Sequence, residues 1–255
     1  MAQSRQNGSA PRKPASRKTA NSASNVNSRN GRASVAENSR DRKGPARERD
    51  SRTTSQNRDY HVGNLDRILL EEGTRLLKSE GLHELSLRKV ARKAGVSHTA
   101  AYRHYDDKNA LLAAIALDGF HRLHEYQTEA IQKSGQDRNL RFLNLGWVYV
   151  QFALENPEYA RIMYGGAGLN FKEYPDLAAA SRRSYRELLL SVRLCQKSEL
   201  IQNGHAKQKT LAAWSIVHGL SMLLLDGQFP APESDAIAME KMVKDVIVNL
   251  YYGLK

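Results

Sequence analysis

The sequence predicts an all-α protein, and three observations carry that expectation. Apolar residues return at helical spacing from Leu65 almost to the end of the chain. No long run alternates apolar and polar residues, and no Asn-Gly turn joins two such runs. Glycines and prolines fall where periodic stretches start or stop, as helix ends require.

Residues 1–59 precede the pattern. They contain no Leu, Ile, Phe or Trp, and their only Val residues are Val26 and Val35. They hold 14 Lys and Arg against 5 Asp and Glu, so most of the chain's net charge of +12 lies there. So little apolar surface cannot offset the entropy lost on ordering, and 1–59 reads as a disordered basic tail.

A first helix follows from Leu65, Ile68, Leu69, Leu76 and Leu77, and Gly81 ends it. Ser86 caps a short second helix over 87–94. A turn at Gly95-Val96 leads to a third near 97–105. Asp107 caps a long fourth that carries Leu111, Leu112, Ile115, Phe120 and Leu123. Residues 140–154 form the next, closed by Asn156-Pro157, and 158–164 a short one. Pro175 begins a long helix to about 202, which Gly204 ends. Helix 207–226 stops at Gly227 and Pro230, and Ser234 caps a last helix to 252. The total is about nine helices and no sheet.

Several classes are excluded. The N-terminus lacks the apolar run of a secretory signal. The most apolar stretches, 140–154 and 211–225, are short and broken by Arg141, Asn144, Gln151, Ser215 and His218, so no membrane span is expected. A single cysteine, Cys195, excludes an internal disulfide and suits a reducing cytoplasm. It reads as a small buried hydrophobe.

The informative stretch is LSLRKVARKAGVSHTAAYRHYDDKNALL, from Leu85 to Leu112. Two helices cross closely only over small residues, and Ala91 and Ala94 are small. The turn needs a residue comfortable at positive φ, which Gly95 supplies. Val90 and Val96 face the core that locks the crossing. Ser97 caps the third helix, whose early turns present Ser97, His98, Thr99 and Tyr102, then Arg103 and His104. Such hydroxyls and imidazoles exchange hydrogen bonds with phosphates and base edges, and the Thr99 methyl suits thymine. Arg88 is long enough to reach a guanine or a phosphate. Lys108, at the start of the fourth helix, neutralises a phosphate.

This stretch resembles the DNA-binding domain of the TetR/AcrR family of regulators. That family has a three-helix head, a short recognition helix ending in Tyr-x-His/Tyr-Phe/Tyr, and a Lys soon after. Tyr102, His104, Tyr105 and Lys108 match, preceded by Ala91, Gly95, Val96 and Ser97, and the resemblance covers 63–125. It implies that Arg88, His98, Thr99, Ala100, Tyr102 and His104 face DNA, with Tyr102 and Lys108 on phosphates. With the cap Ser86, with Ser97 and with Arg103, these form the candidate DNA-facing set. Ala101 stands where the family often has Leu or Ile, and Asp107 where it has Ser or Thr. The first anchors the helix less well, and the pair Asp106-Asp107 weakens DNA binding slightly.

Farther along, Trp214, His218 and Gly219 form W-x-x-x-H-G. Upstream lie Asn156-Pro157-Glu158-Tyr159 and Arg161-Ile162-Met163-Tyr164-Gly165. Over roughly 140–250 these resemble the TetR C-terminal domain class named for its Trp-His-Gly motif. The division implied is a 1–59 tail, a 60–108 head and a 109–255 ligand-binding and dimerisation domain. The last two helices are expected to meet their symmetry copies through Leu211, Trp214, His218, Leu220, Met222, Leu223, Val243, Ile247 and Leu250. His218 reads first as a core histidine. An apolar or aromatic effector is expected in a cavity lined by Trp147, Phe152, Met163, Tyr164 and Tyr185.

The function expected is a ligand-responsive repressor, acting as a homodimer on a palindromic double-stranded DNA operator. The alternatives are a helical small-molecule-binding protein or a metal-dependent enzyme, neither binding DNA. His121-x-x-His124-Glu125 is the metal candidate, because positions i and i+3 share a face, but no distant ligand of suitable type accompanies it. No phosphate loop, nucleophile elbow or Ser-His-Asp spacing is present, so no catalytic residue, metal or cofactor is assigned.

Overall fold

The computed structural model describes residues 64–229 and 235–253. The basic tail 1–59 and the expected cap Ser234 lie outside the described residues. Within them are nine α-helices, one π-type turn and no strand.

Three helices make the head: α1 (Leu65–Glu80), α2 (Leu87–Lys93) and α3 (His98–Tyr102). Leu69, Leu76, Leu87, Val90 and Ala101 close its small core. The third helix is shorter than its periodicity suggests. Beyond Tyr102 the chain turns toward α1, where the Tyr105 hydroxyl donates to the Asp66 carbonyl at 3.4 Å.

α4 (Lys108–Ser134) is the longest helix. Asp107 caps it as expected: its carboxylate accepts from the Ala110 N–H at 2.8 Å. At its head end, Leu111 and Ile115 meet Gly73 of α1. Farther along, Gly119 lets α4 lie flush on Met163 and Tyr159, since a Cβ there would stand 2.6 Å and 2.8 Å from their side chains.

The remaining helices build the bundle: α5 (Arg138–Glu155), α6 (Pro157–Arg161), α7 (Pro175–Lys197), α8 (Ala206–Leu225) and α9 (Ala236–Gly253). The π-type turn Ile162–Gly166 continues α6. Phe120, Phe142, Phe152, Leu177 and Ile247 are wholly buried among them. α7 ends at Lys197, short of the expected 202. There Glu199 adopts φ +59. The Leu200 N–H bonds back to the Cys195 carbonyl at 3.0 Å, and the Glu199 N–H to Gln196 at 3.0 Å. This is a Schellman ending with Glu in the place usually held by Gly. Asp235 takes the capping role at α9, accepting from the Ile237 N–H at 2.9 Å and the Ala238 N–H at 3.2 Å.

Candidate nucleic-acid interface and ligand cavity

The α2–turn–α3 unit owes its shape to one backbone conformation. Gly95 has φ +70, with open space where a Cβ would be. The requirement is therefore the left-handed backbone itself, not room for a neighbour. The Val96 N–H donates back to the Ala91 carbonyl at 3.0 Å, and the fully buried Val90, Ala91 and Ala101 fix the crossing. Ala101, small as it is, sits at the contact point with no exposure at all.

With its inner side clamped, α3 presents the rest to solvent. His98, Thr99, Tyr102 and Arg103 are exposed, as are Ser97 and Arg88, and Ala100 is half-buried. Tyr102 is 43% exposed. Arg88 and Arg103 have no ion pair among the described residues. Ser86 and Ser97 act as caps, accepting from the N–H groups of Lys89 at 3.3 Å and Ala100 at 3.2 Å.

Two expected members of this face point elsewhere. His104 pairs through Nδ1 with the Asp66 carboxylate of α1. Lys108 donates to the Leu82 carbonyl at 2.7 Å, tying α4 to the loop after α1. Both follow from the turn after Tyr102, which swings the chain inward. Exposed Arg92 and Lys93, in the last turn of α2, belong to the same basic surface. Their signal was legible as a charge cluster beside Arg88.

The second feature is an apolar cavity of about 240 Å³ inside the bundle. Phe120 and Gln127 of α4, Phe142 and Tyr149 of α5, Arg182 and Tyr185 of α7, Trp214 of α8 and Leu250 of α9 line it, with Tyr164 of the π-type turn. Tyr164 is its aromatic hub, with ring centroids 5.5 Å from Phe120, 5.7 Å from Tyr149, 5.6 Å from Trp214 and 5.2 Å from His218.

Of the expected lining, Tyr164 and Tyr185 are present. Trp147, Phe152 and Met163 are not. Trp147 lies about 140° round α5 from Phe142, on a groove beside α9, while Phe152 and Met163 are core. The expected dimer seam also divides. Val243 and Ile247 are buried within the chain, and Trp214 and Leu250 face the cavity. His218 turns to the Tyr149 hydroxyl at 2.9 Å, and Met222 lines a cleft beneath the head. Leu211 is 53% exposed.

Two family models match. The description "Bacterial regulatory proteins, tetR family" covers residues 69–115, and "Tetracyclin repressor-like, C-terminal domain" covers 142–246. Between them they take in both the head and the cavity-bearing bundle, and more than half of the chain.

The chain belongs to the TetR family.

It is accordingly a DNA-binding transcriptional regulator. It is 25% identical over 200 residues to the uncharacterized HTH-type transcriptional regulator YobS of Bacillus subtilis, covering 76% of this chain and 96% of that one. The tetracycline repressor protein class D of Escherichia coli is 34% identical over 68 residues, 27% of this chain and 31% of that protein. Among solved structures, a protein of unknown function from Rhodococcus sp. RHA1 is 31% identical with a TM-score of 0.66, covering 76% of this chain and 97% of that one. The TetR family transcriptional regulator PfmR of Thermus thermophilus has the same fold at 18% identity, with a TM-score of 0.57 over 73% of this chain and 95% of its own.

In this TetR-family chain the cavity wall is apolar with a few polar groups. Trp214 donates to the Tyr149 hydroxyl at 3.4 Å. Burial pushes the Tyr149 phenol up to about 12 and the Tyr164 phenol well above its usual range, so both remain neutral. Burial also lowers His218. Gln127 is 4% exposed, and its Oε1 has no partner. The sequence reading missed Gln127, although a polar residue two turns from Phe120 on a buried face was the available signal. Cys195 is buried and its thiol is raised to about 11 by desolvation. No cluster of three or more His, Cys, Asp or Glu suited to a metal occurs among the described residues. No described helix is long and apolar enough to cross a membrane.

Proposed function

We propose that the protein is a cytoplasmic, ligand-responsive repressor that binds a palindromic operator as a homodimer. We place it in the TetR subgroup with the Trp-His-Gly C-terminal domain. The head is 60–108, with Arg88, Ser97, His98, Thr99, Tyr102 and Arg103 meeting DNA, and 109–255 is the sensing and dimerising part.

The observation that carries this reading is the continuity of α4. One unbroken helix of 27 residues supplies Leu111 and Ile115 to the head and Phe120 and Gln127 to the cavity. An apolar or aromatic ligand that displaces Phe120 and Tyr164 tilts that helix. The spacing of two heads then departs from the roughly 34–36 Å that successive major grooves require. Ligand and DNA oppose one another reciprocally.

The exposed side of α8 supports a dimer seam there. Leu211, Ile216 and Leu223 are 53%, 36% and 49% exposed, and Gly219 among them has nothing within 4 Å of a built Cβ. A partner helix can approach closely at such a place.

Fluorescence anisotropy with duplexes from upstream of the protein's own gene tests the assignment. Saturable binding is expected on those duplexes and not on scrambled ones. The double variant Thr99→Ala, Tyr102→Ala should bind at least roughly tenfold more weakly while melting at the wild-type temperature. Equal binding by the variant overturns the DNA-facing role of α3.

A further inference from the structure

We infer that the effector is an amphiphile whose apolar body fills the bundle cavity while its anionic head, a carboxylate or a phosphate, sits in a basic cleft between α4 and α7. The inference rests on reading the cavity as the effector site and adds the chemistry of the ligand.

Cleft and cavity share a wall, because Phe120 and Arg182 line both. Beyond them the cleft is faced by His121 and His124 of α4 and by Arg183 and Arg186 of α7. Asp176 is the one carboxylate in its lining, Glu125 and Glu187 act on His124 from nearby, and the three arginines carry the positive charge. All three arginines are exposed, and none forms an ion pair among the described residues. Basic groups gathered around a concavity raise the local concentration of anions. Guanidinium forks match the two oxygens of a carboxylate or phosphate.

The dimensions agree. The bundle cavity, at about 240 Å³, is smaller than a pocket that takes in a whole drug-sized ligand. A molecule that leaves its head outside needs to bury only its tail there. The cleft is also separate from the DNA-facing surface. His121 lies roughly 20 Å along α4 from Lys108 at the rise of a helical residue. Arg182 lines both compartments and so stands where the tail and the head of such a ligand would join.

Calorimetric titration of the full-length protein with decanoate, decyl phosphate and decanol tests the proposal. At least one of the two anions should bind roughly tenfold tighter than the alcohol, and the stronger of them identifies the head group. The double variant Arg183→Gln, Arg186→Gln, at two positions that line the cleft and not the cavity, should lose that preference while keeping the wild-type affinity for decanol, which also certifies its fold. Equal affinity for alcohol and anions overturns the bipartite site and leaves an apolar effector cavity standing. Failure of all three probes to bind overturns both.

Discussion

Gln127 faces the bundle cavity with a buried carbonyl oxygen that meets no donor. Such an orphan costs about 1–3 kcal/mol of desolvation, and a ligand donor would recover it. Gln127→Leu removes that orphan together with the amide's donation to the Ser184 carbonyl at 3.5 Å, so it should leave stability in urea unfolding within about 1 kcal/mol of the wild type. A variant less stable than that would show that the amide is serving the fold. His218 makes a second prediction. Its burial favours the neutral imidazole, so its folded pKa lies below the usual 6.5. The unfolded chain then takes up its proton first as pH falls. Stability is complete above about 6.5 and declines from there toward the lowered folded value. His218→Gln should flatten the fall in Tm between about pH 7 and pH 5, leaving the share due to His124, which burial and Arg183 also depress. Of the cavity's aromatic residues, Tyr164 and Tyr185 were legible in the sequence, and Phe120, Phe142, Tyr149 and Trp214 were not. Trp147 and Tyr149 are two residues apart on α5 and differ only in helical phase, which hydropathy alone does not resolve between two apolar faces.

Helices declare themselves by period, and their ends declare themselves only when a familiar residue marks them. Gly95 announced the turn between α2 and α3. The end of α7 went unseen because Glu199, not glycine, takes the left-handed conformation there, at φ +59. That conformation costs a side-chain-bearing residue about 1 kcal/mol. Glu199→Gly should accordingly raise stability by about 0.5–1 kcal/mol, read from the shift in urea midpoint. No change would mean that the Glu side chain offsets its backbone cost. The recognition helix was placed correctly at its start, where Ser97 caps it. Its length was overestimated because His104 and Tyr105 are pulled toward Asp66, a contact 39 residues back in sequence that local periodicity does not contain.

At the scale of the whole molecule, the TetR architecture was readable from the α2–turn–α3 signature, while the face of α8 used outward was not. The reason is that α8 is apolar on nearly every side. Val217 and Ser221 turn inward, Trp214 borders the cavity, and Leu211 and Leu223 turn out. If that outer face joins two copies, Leu223→Glu should shift the protein to monomers in sedimentation velocity and abolish tight operator binding with it, since each head alone reads half a site. A dimer that survives the substitution would move the seam elsewhere. The most direct test of the central claim, that paired copies of α3 read DNA, is selection from a random pool of duplexes by the intact protein. The expected product is a palindrome whose two half-sites lie about one helical turn, or a whole number of turns, apart, and which Thr99→Ala or Tyr102→Ala no longer enriches. A pool that yields no enriched sequence, or the same sequence with those variants, would contradict it.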